Sequence, residues 1–199
     1  MNRSPLDEHG QCPLCRLGLT GFDGVYVYGS YEGALRKLIH LLKYQGIRPL
    51  AKTFGRFLAR AVPRERSFDV IVPMPLHWRR RWQRGFNQAE LLAREVSKIW
   101  NVPVRNVARR KRATSPQAGL TNAKRRANVS GAFAVKRGTR LDGMRVLLVD
   151  DVLTTGASAS ACARALKRAG ARDVTVLALA RTDRRTALSD TEVFSGANV

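Results

Sequence analysis

A chain of 199 residues, 44% of them hydrophobic, can bury one α/β-sized core with a short appendage and is too short for two full-size domains. No apolar run approaches a bilayer crossing and Met1 to Glu8 has no signal-peptide character, so a cytoplasmic protein without a membrane span is expected. Thirty-six Lys and Arg against 15 Asp and Glu give a formal charge of +21, which points to a polyanionic partner, nucleic acid first. Steering of a phosphorylated small molecule, or a merely solvated basic surface, are the alternatives.

In chain order, Val25 to Tyr31 reads as a strand, and Ala34 to Lys43 as a helix with Leu35, Leu38, Ile39 and Leu42 on one stripe. That spacing leaves Arg36, Lys37, His40 and Lys43 for water or ligand. Pro49 opens a second helix to about Val62, with Leu50, Phe54, Phe57, Leu58 and Ala61 inward. Asp69 to Val72 predicts a short strand stopped by Pro73 and Pro75. A helix follows from Phe86 to about Trp100, with Phe86, Ala89, Leu92, Ala93 and Val96 as its apolar stripe, then a strand near Pro103 to Val107. From Arg109 to Arg126 the chain is basic and without sustained periodicity, a loop or hairpin. Ala132 to Val135, Val146 to Val149 and Val174 to Ala180 complete the strands, with a helix from about Ser158 to Ala169 between the last two. Strands alternating with helices predict an α/β fold with a mostly parallel sheet covered by helices on both faces. The expected organisation is an N-terminal segment over 1–24, one domain over 25–182 and a polar tail over 183–199.

The run Val146-Leu147-Leu148-Val149-Asp150-Asp151-Val152-Leu153-Thr154-Thr155-Gly156-Ala157-Ser158 carries most of the functional information. Four apolar residues predict a strand buried on both faces, ending in two acids and a short loop before a helix, where open α/β sheets bind ligands. Thr154, Thr155, Gly156, Ala157 and Ser158 offer consecutive N–H groups at a helix start, with Gly156 allowing close approach; that is an anion cradle. Asp150 and Asp151 only accept hydrogen bonds, which suits donating sugar hydroxyls or a hard divalent ion. Hydroxyls on one side and phosphate on the other describe a ribose 5-phosphate. The bland alternative, acids that merely cap the next helix, explains neither their adjacency nor the Thr-Thr-Gly turn.

The whole motif resembles the signature for 5-phosphoribosyl 1-diphosphate (PRPP) in type I phosphoribosyltransferases. A second segment, Val72-Pro73-Met74-Pro75-Leu76-His77-Trp78-Arg79-Arg80-Arg81-Trp82-Gln83-Arg84-Gly85-Phe86-Asn87-Gln88-Ala89-Glu90-Leu91-Leu92, is similar to the hallmark of the ComF family of competence and DNA-uptake proteins. Gln117-Ala118-Gly119-Leu120 and Arg126-Ala127-Asn128-Val129-Ser130-Gly131-Ala132-Phe133 follow in the same order, so the resemblance spans Val25 to Ala180. It implies a type I phosphoribosyltransferase-like fold binding PRPP with Mg²⁺, with Asp150 and Asp151 as the catalytic acids. It implies a diphosphate loop over Met74 to Arg84, with Leu76, His77, Arg79 and Arg84 as contacts. It also implies a lid over Arg109 to Arg126, with Lys111 and Gln117 touching ligand. The acceptor stays open between a free nucleobase, a nucleic-acid end and none. Single-stranded DNA and the DNA-uptake machinery are the partners the resemblance suggests.

Arg79, Arg80, Arg81, Arg109, Arg110, Arg112 and Arg125 lie in segments read as loops, and with Trp78 and Trp82 they suit single-stranded nucleic acid as well as they suit diphosphate. His9, His40 and His77 have no metal-ligand spacing. Cys12-Pro13-Leu14-Cys15 is half of a four-thiolate zinc site. ComF relatives carry a complete cysteine-rich module, so Cys12 and Cys15 alone are not expected to hold zinc, the module being degenerate or continued upstream. Cys162 falls where a small buried side chain is expected.

Overall fold

The computed structural model describes residues 21–76, 82–111 and 131–182. Four parallel strands form the main sheet in the order β1, β6, β5, β2: β1 Gly24–Ser30, β2 Val70–Pro73, β5 Arg145–Leu153 and β6 Asp173–Arg181. Ala108–Arg110 (β3) and Phe133–Val135 (β4) form a separate antiparallel pair. The helices are α1 Gly33–Tyr44, α2 Leu50–Ala61, α3 Gln88–Trp100 and α4 Ala157–Arg168.

Alternation along the central strands sorts the core into two layers. Val146 and Leu148 of β5, with Val70 and Val72 of β2, face Ala159, Cys162 and Leu166 of α4. Leu147 and Val149, with Ile71, face Ile39 and Leu42 of α1, Phe54 and Leu58 of α2, and Leu92 and Val96 of α3. All of these are buried, each large side chain contributing about 1.5–3 kcal/mol. The parallel sheet with helices on both faces is therefore as the hydrophobic runs predict.

Several boundaries differ from expectation for readable reasons. Pro73 lies inside β2, not beyond it. Ile71 N–H bonds outward to Pro103 and Met74 N–H bonds inward to Val149, so the missing Pro73 donor falls on the outer side, where a ladder does not need it. The segment near Pro103 to Val107 makes only a single bridge, Val104 to Ile71. The strand comes next, so Arg109 and Arg110 are strand residues and not loop. The helix expected from Phe86 starts at Gln88, because Asn87 caps it: Asn87 Oδ1 accepts from Ala89 N–H at 3.2 Å. Finally, β5 runs on to Leu153, so the two acids lie within the strand, paired along β6 through Asp150 and Ala178.

Gly55 of α2 lets that helix close on α3, since a Cβ there would meet Glu95 Cβ. Asp23 accepts from Val174 N–H at 2.8 Å and from Lys167 Nζ at 2.6 Å, tying the approach to β1 into α4 and β6.

Candidate active site

The strands β2 and β5 are neighbours, and the helices that follow them leave to opposite faces, α3 to one and α4 to the other. A crevice opens at the carboxyl ends of such a strand pair. Here it is a cavity of about 300 Å³, at the small end of the usual range for small-molecule sites. Its floor includes Asp150, Asp151, Val152 and Leu153, one side Met74, Pro75 and Leu76, and the rims Lys43, Tyr44, Arg84 and Arg110.

Strand alternation aims the two carboxylates differently. Asp151 turns toward α1, where its Oδ2 lies 3.0 Å from Lys43 Nζ, with 13% and 14% of the two side chains exposed. Asp150 Oδ1 accepts from Asp151 N–H at 2.8 Å. Burial, then the neighbouring Asp151 carboxylate, pushes the Asp150 carboxyl well above the ordinary range; the Asp151 N–H and Lys43 only partly oppose this. Burial works against the Lys43 charge, but the charge and hydrogen bond of Asp151, aided by Asp150, outweigh it and the net shift is upward. The floor is thus two acids and one ammonium, all short of water.

Gly156 takes φ 73°, a conformation an L side chain resists, and it sets up the first turn of α4, with Ser160 N–H reaching back to its carbonyl at 2.8 Å. Thr154, Gly156 and Ser158 line the cavity, whereas Ala157 packs into the core and Thr155 Oγ1 turns to Ala157 N–H at 3.5 Å. The open N–H groups of a helix start and the positive end of its dipole then face the cavity, as an anion requires.

Of the other expected contacts, Leu76 and Arg84 line the cavity, with the Arg84 guanidinium 5.0 Å from the centre of the Tyr44 ring. Arg110 also lines it, over the Phe133 ring at 5.4 Å, while Arg109, one residue along β3, is exposed. Lys111 is exposed and bonds through its backbone N–H to Ala132 at 2.7 Å. His77, Arg79, Arg80, Arg81, Arg112, Gln117, Arg125, Cys12 and Cys15 lie outside the described residues. Cys162 is fully buried; burial and Asp150 push its thiol up, so it is an unreactive packing residue.

Sequence reasoning missed Lys43 as a partner of Asp151, and Asn87 and Gln88 as parts of the wall. For Lys43 the signal was a lysine one residue beyond the last stripe leucine. Asn87, whose Nδ2 donates to Met74 O at 3.0 Å, ties the segment after β2 to the start of α3.

No helix among the described residues is long and apolar enough to cross a membrane, and they include no cluster of three or more metal-ligating side chains. The chemistry of the donors nevertheless fits Mg²⁺, which keeps several waters and takes one or two carboxylates plus substrate oxygens.

The phosphoribosyl transferase domain family matches residues 83–199. The chain is 32% identical over 187 residues to Competence protein F of Haemophilus influenzae, covering 89% of this chain and 82% of that protein. It is 33% identical over 182 residues to DNA utilization protein YhgH of Escherichia coli, covering 88% and 79%. To Competence protein ComFC of Streptococcus pneumoniae it is 30% identical over 152 residues, covering 76% and 66%.

Proposed function

Because the chain belongs to the phosphoribosyl transferase domain family, and within it to the group of competence protein F, we propose that its cavity binds PRPP with Mg²⁺ and transfers the 5-phosphoribosyl group. The observation that carries this is one cavity shared by an acid pair and a glycine-led helix start. The α4 start takes the 5-phosphate. Asp150 and Asp151 take the ribose hydroxyls, and through them and water the metal.

In the reaction an acceptor forms a bond to the anomeric carbon as the carbon–oxygen bond to diphosphate breaks, and the acceptor's proton passes to solvent. Positive character builds on the sugar and negative charge on the leaving group. Mg²⁺ supplies neutralisation of that leaving charge. The chain's own part is to hold the sugar between Asp150, Asp151 and α4, and to place Arg84 and Arg110 at the rim toward the diphosphate. Lys43 keeps Asp151 ionised and oriented until ligand enters.

The related proteins are named for competence and DNA utilization, and the +21 charge fits a polyanion. We therefore place the activity in uptake or utilization of single-stranded DNA, in a cytoplasmic setting. The test is a screen of nucleobases and oligonucleotide ends for PRPP-dependent diphosphate release. Release with one acceptor class supports transfer. PRPP binding with no release across the panel supports a second reading, favoured by the net charge, of a nucleic-acid-binding accessory protein whose site holds PRPP without turning it over.

A further inference from the structure

The same cavity meets a second helix start. Asn87, Gln88 and Ala89, at the first turn of the thirteen-residue α3, line it on the side facing Gly156 and Ser158 of α4. Gln88 is 2% exposed, and its Nε2 has no hydrogen-bond partner. Its neighbour Asn87 spends its amide on Met74 O and its carbonyl on Ala89 N–H, so the two adjacent amides are treated differently by the fold. A buried donor left unpaired costs about 1–3 kcal/mol, which a fold tolerates where a ligand completes the bond.

A neutral donor deep in a wall, beside a helix N-terminus, matches an anionic oxygen. Glu90 does not fill that role from within, since its Oε1 is taken by Arg94 Nη2 at 2.7 Å and by Asn106 Nδ2 at 3.2 Å. Two helix starts from opposite faces of the sheet therefore converge on one cavity, with hydroxyl acceptors on the floor between them. That arrangement fits a ligand with an anionic group at each end and hydroxyls in the middle.

We propose that Gln88 and the first turn of α3 form a second anion subsite, opposite the α4 cradle, which takes the diphosphate end of the ligand through Gln88 Nε2. The assignment rests on the proposed PRPP reading for which end lies where; the subsite itself rests on the unpaired amide. It adds to the rim arginines an uncharged, buried donor that fixes the position of the leaving group.

The test is calorimetric titration with inorganic diphosphate, ribose 5-phosphate and PRPP, each with Mg²⁺, on the wild type, Gln88→Met and Gln88→Glu. The expected result is a loss of tenfold or more in diphosphate and PRPP affinity for both variants, with ribose 5-phosphate unchanged within twofold. Gln88→Met is also expected to melt no lower than the wild type, because it removes an unsatisfied buried amide. Unchanged diphosphate affinity in Gln88→Met overturns the subsite, as does an equal loss for all three ligands with a lowered melting temperature. Wild type that binds diphosphate through Gln88 but fails to bind PRPP leaves the subsite standing and overturns the PRPP reading.

Discussion

The Lys43 ammonium, near the end of α1, lies 3.0 Å from Asp151 Oδ2 on the floor of the cavity, joining a helix of one layer to the central strand. The pair is largely shielded from water, and a second carboxylate, Asp150, adjoins it. Breaking such a pair from one side leaves an uncompensated buried charge, which costs about 3–5 kcal/mol. Lys43→Met should therefore lower the melting temperature at neutral pH by several degrees. The loss should shrink toward pH 4, where protonation relieves the two acids, and an equal loss at both pH values would contradict the pairing.

Asp150 gives the complementary case. Its folded-state proton affinity is raised, so stability is full below the unfolded carboxyl pKa and declines as pH rises through the folded one. Asp150→Asn fixes the neutral form. It should raise the melting temperature at pH 8 to 9, each kcal/mol gained corresponding to about 2–4 °C, and change little at pH 4. The same variant should bind PRPP more weakly, a separation of stability from function expected at a site built for a ligand.

Gly156→Ala should weaken ribose 5-phosphate binding and cost about 1–2 kcal/mol of stability, because φ 73° places a Cβ against the following carbonyl. Chemical denaturation and phosphate-ester titration read the two effects separately. Gly55→Ala, remote from the cavity, should cost about 1–3 kcal/mol through the Glu95 contact, with ligand affinity per folded molecule retained.

Much of this was legible in the sequence for identifiable reasons. The run Val146 to Val149 announces a strand buried on both faces, and adjacent acids before Thr154 to Ser158 announce a ligand corner, since both are local signals. The pairing of Lys43 with Asp151 was not legible, because it joins residues 108 positions apart through the register of the sheet and the placement of α1. The placement of Arg109 and Arg110 in β3 was hidden by their charge, which argues loop until Phe133 and Val135 provide an antiparallel partner. The solitude of Gln88 Nε2 is a property of packing alone.

For nucleic acid, Arg79, Arg80 and Arg81 remain the sequence-based proposal. Replacing all three with Gln should weaken single-stranded DNA binding and flatten its dependence on salt, each lost phosphate contact removing about 0.7 from the log–log slope. An unchanged slope, measured by fluorescence anisotropy between low and physiological salt, would move the DNA surface elsewhere.

The central claim is that the corner formed by β5 and α4 grips a phosphorylated pentose. Calorimetric titration of PRPP with Mg²⁺ into the wild type and into Asp150→Ala/Asp151→Ala tests it most directly. Saturable one-to-one binding by the wild type, lost by at least tenfold in the double variant, is the predicted result. A wild type that takes up no PRPP, or a double variant that binds it equally well, would contradict the account.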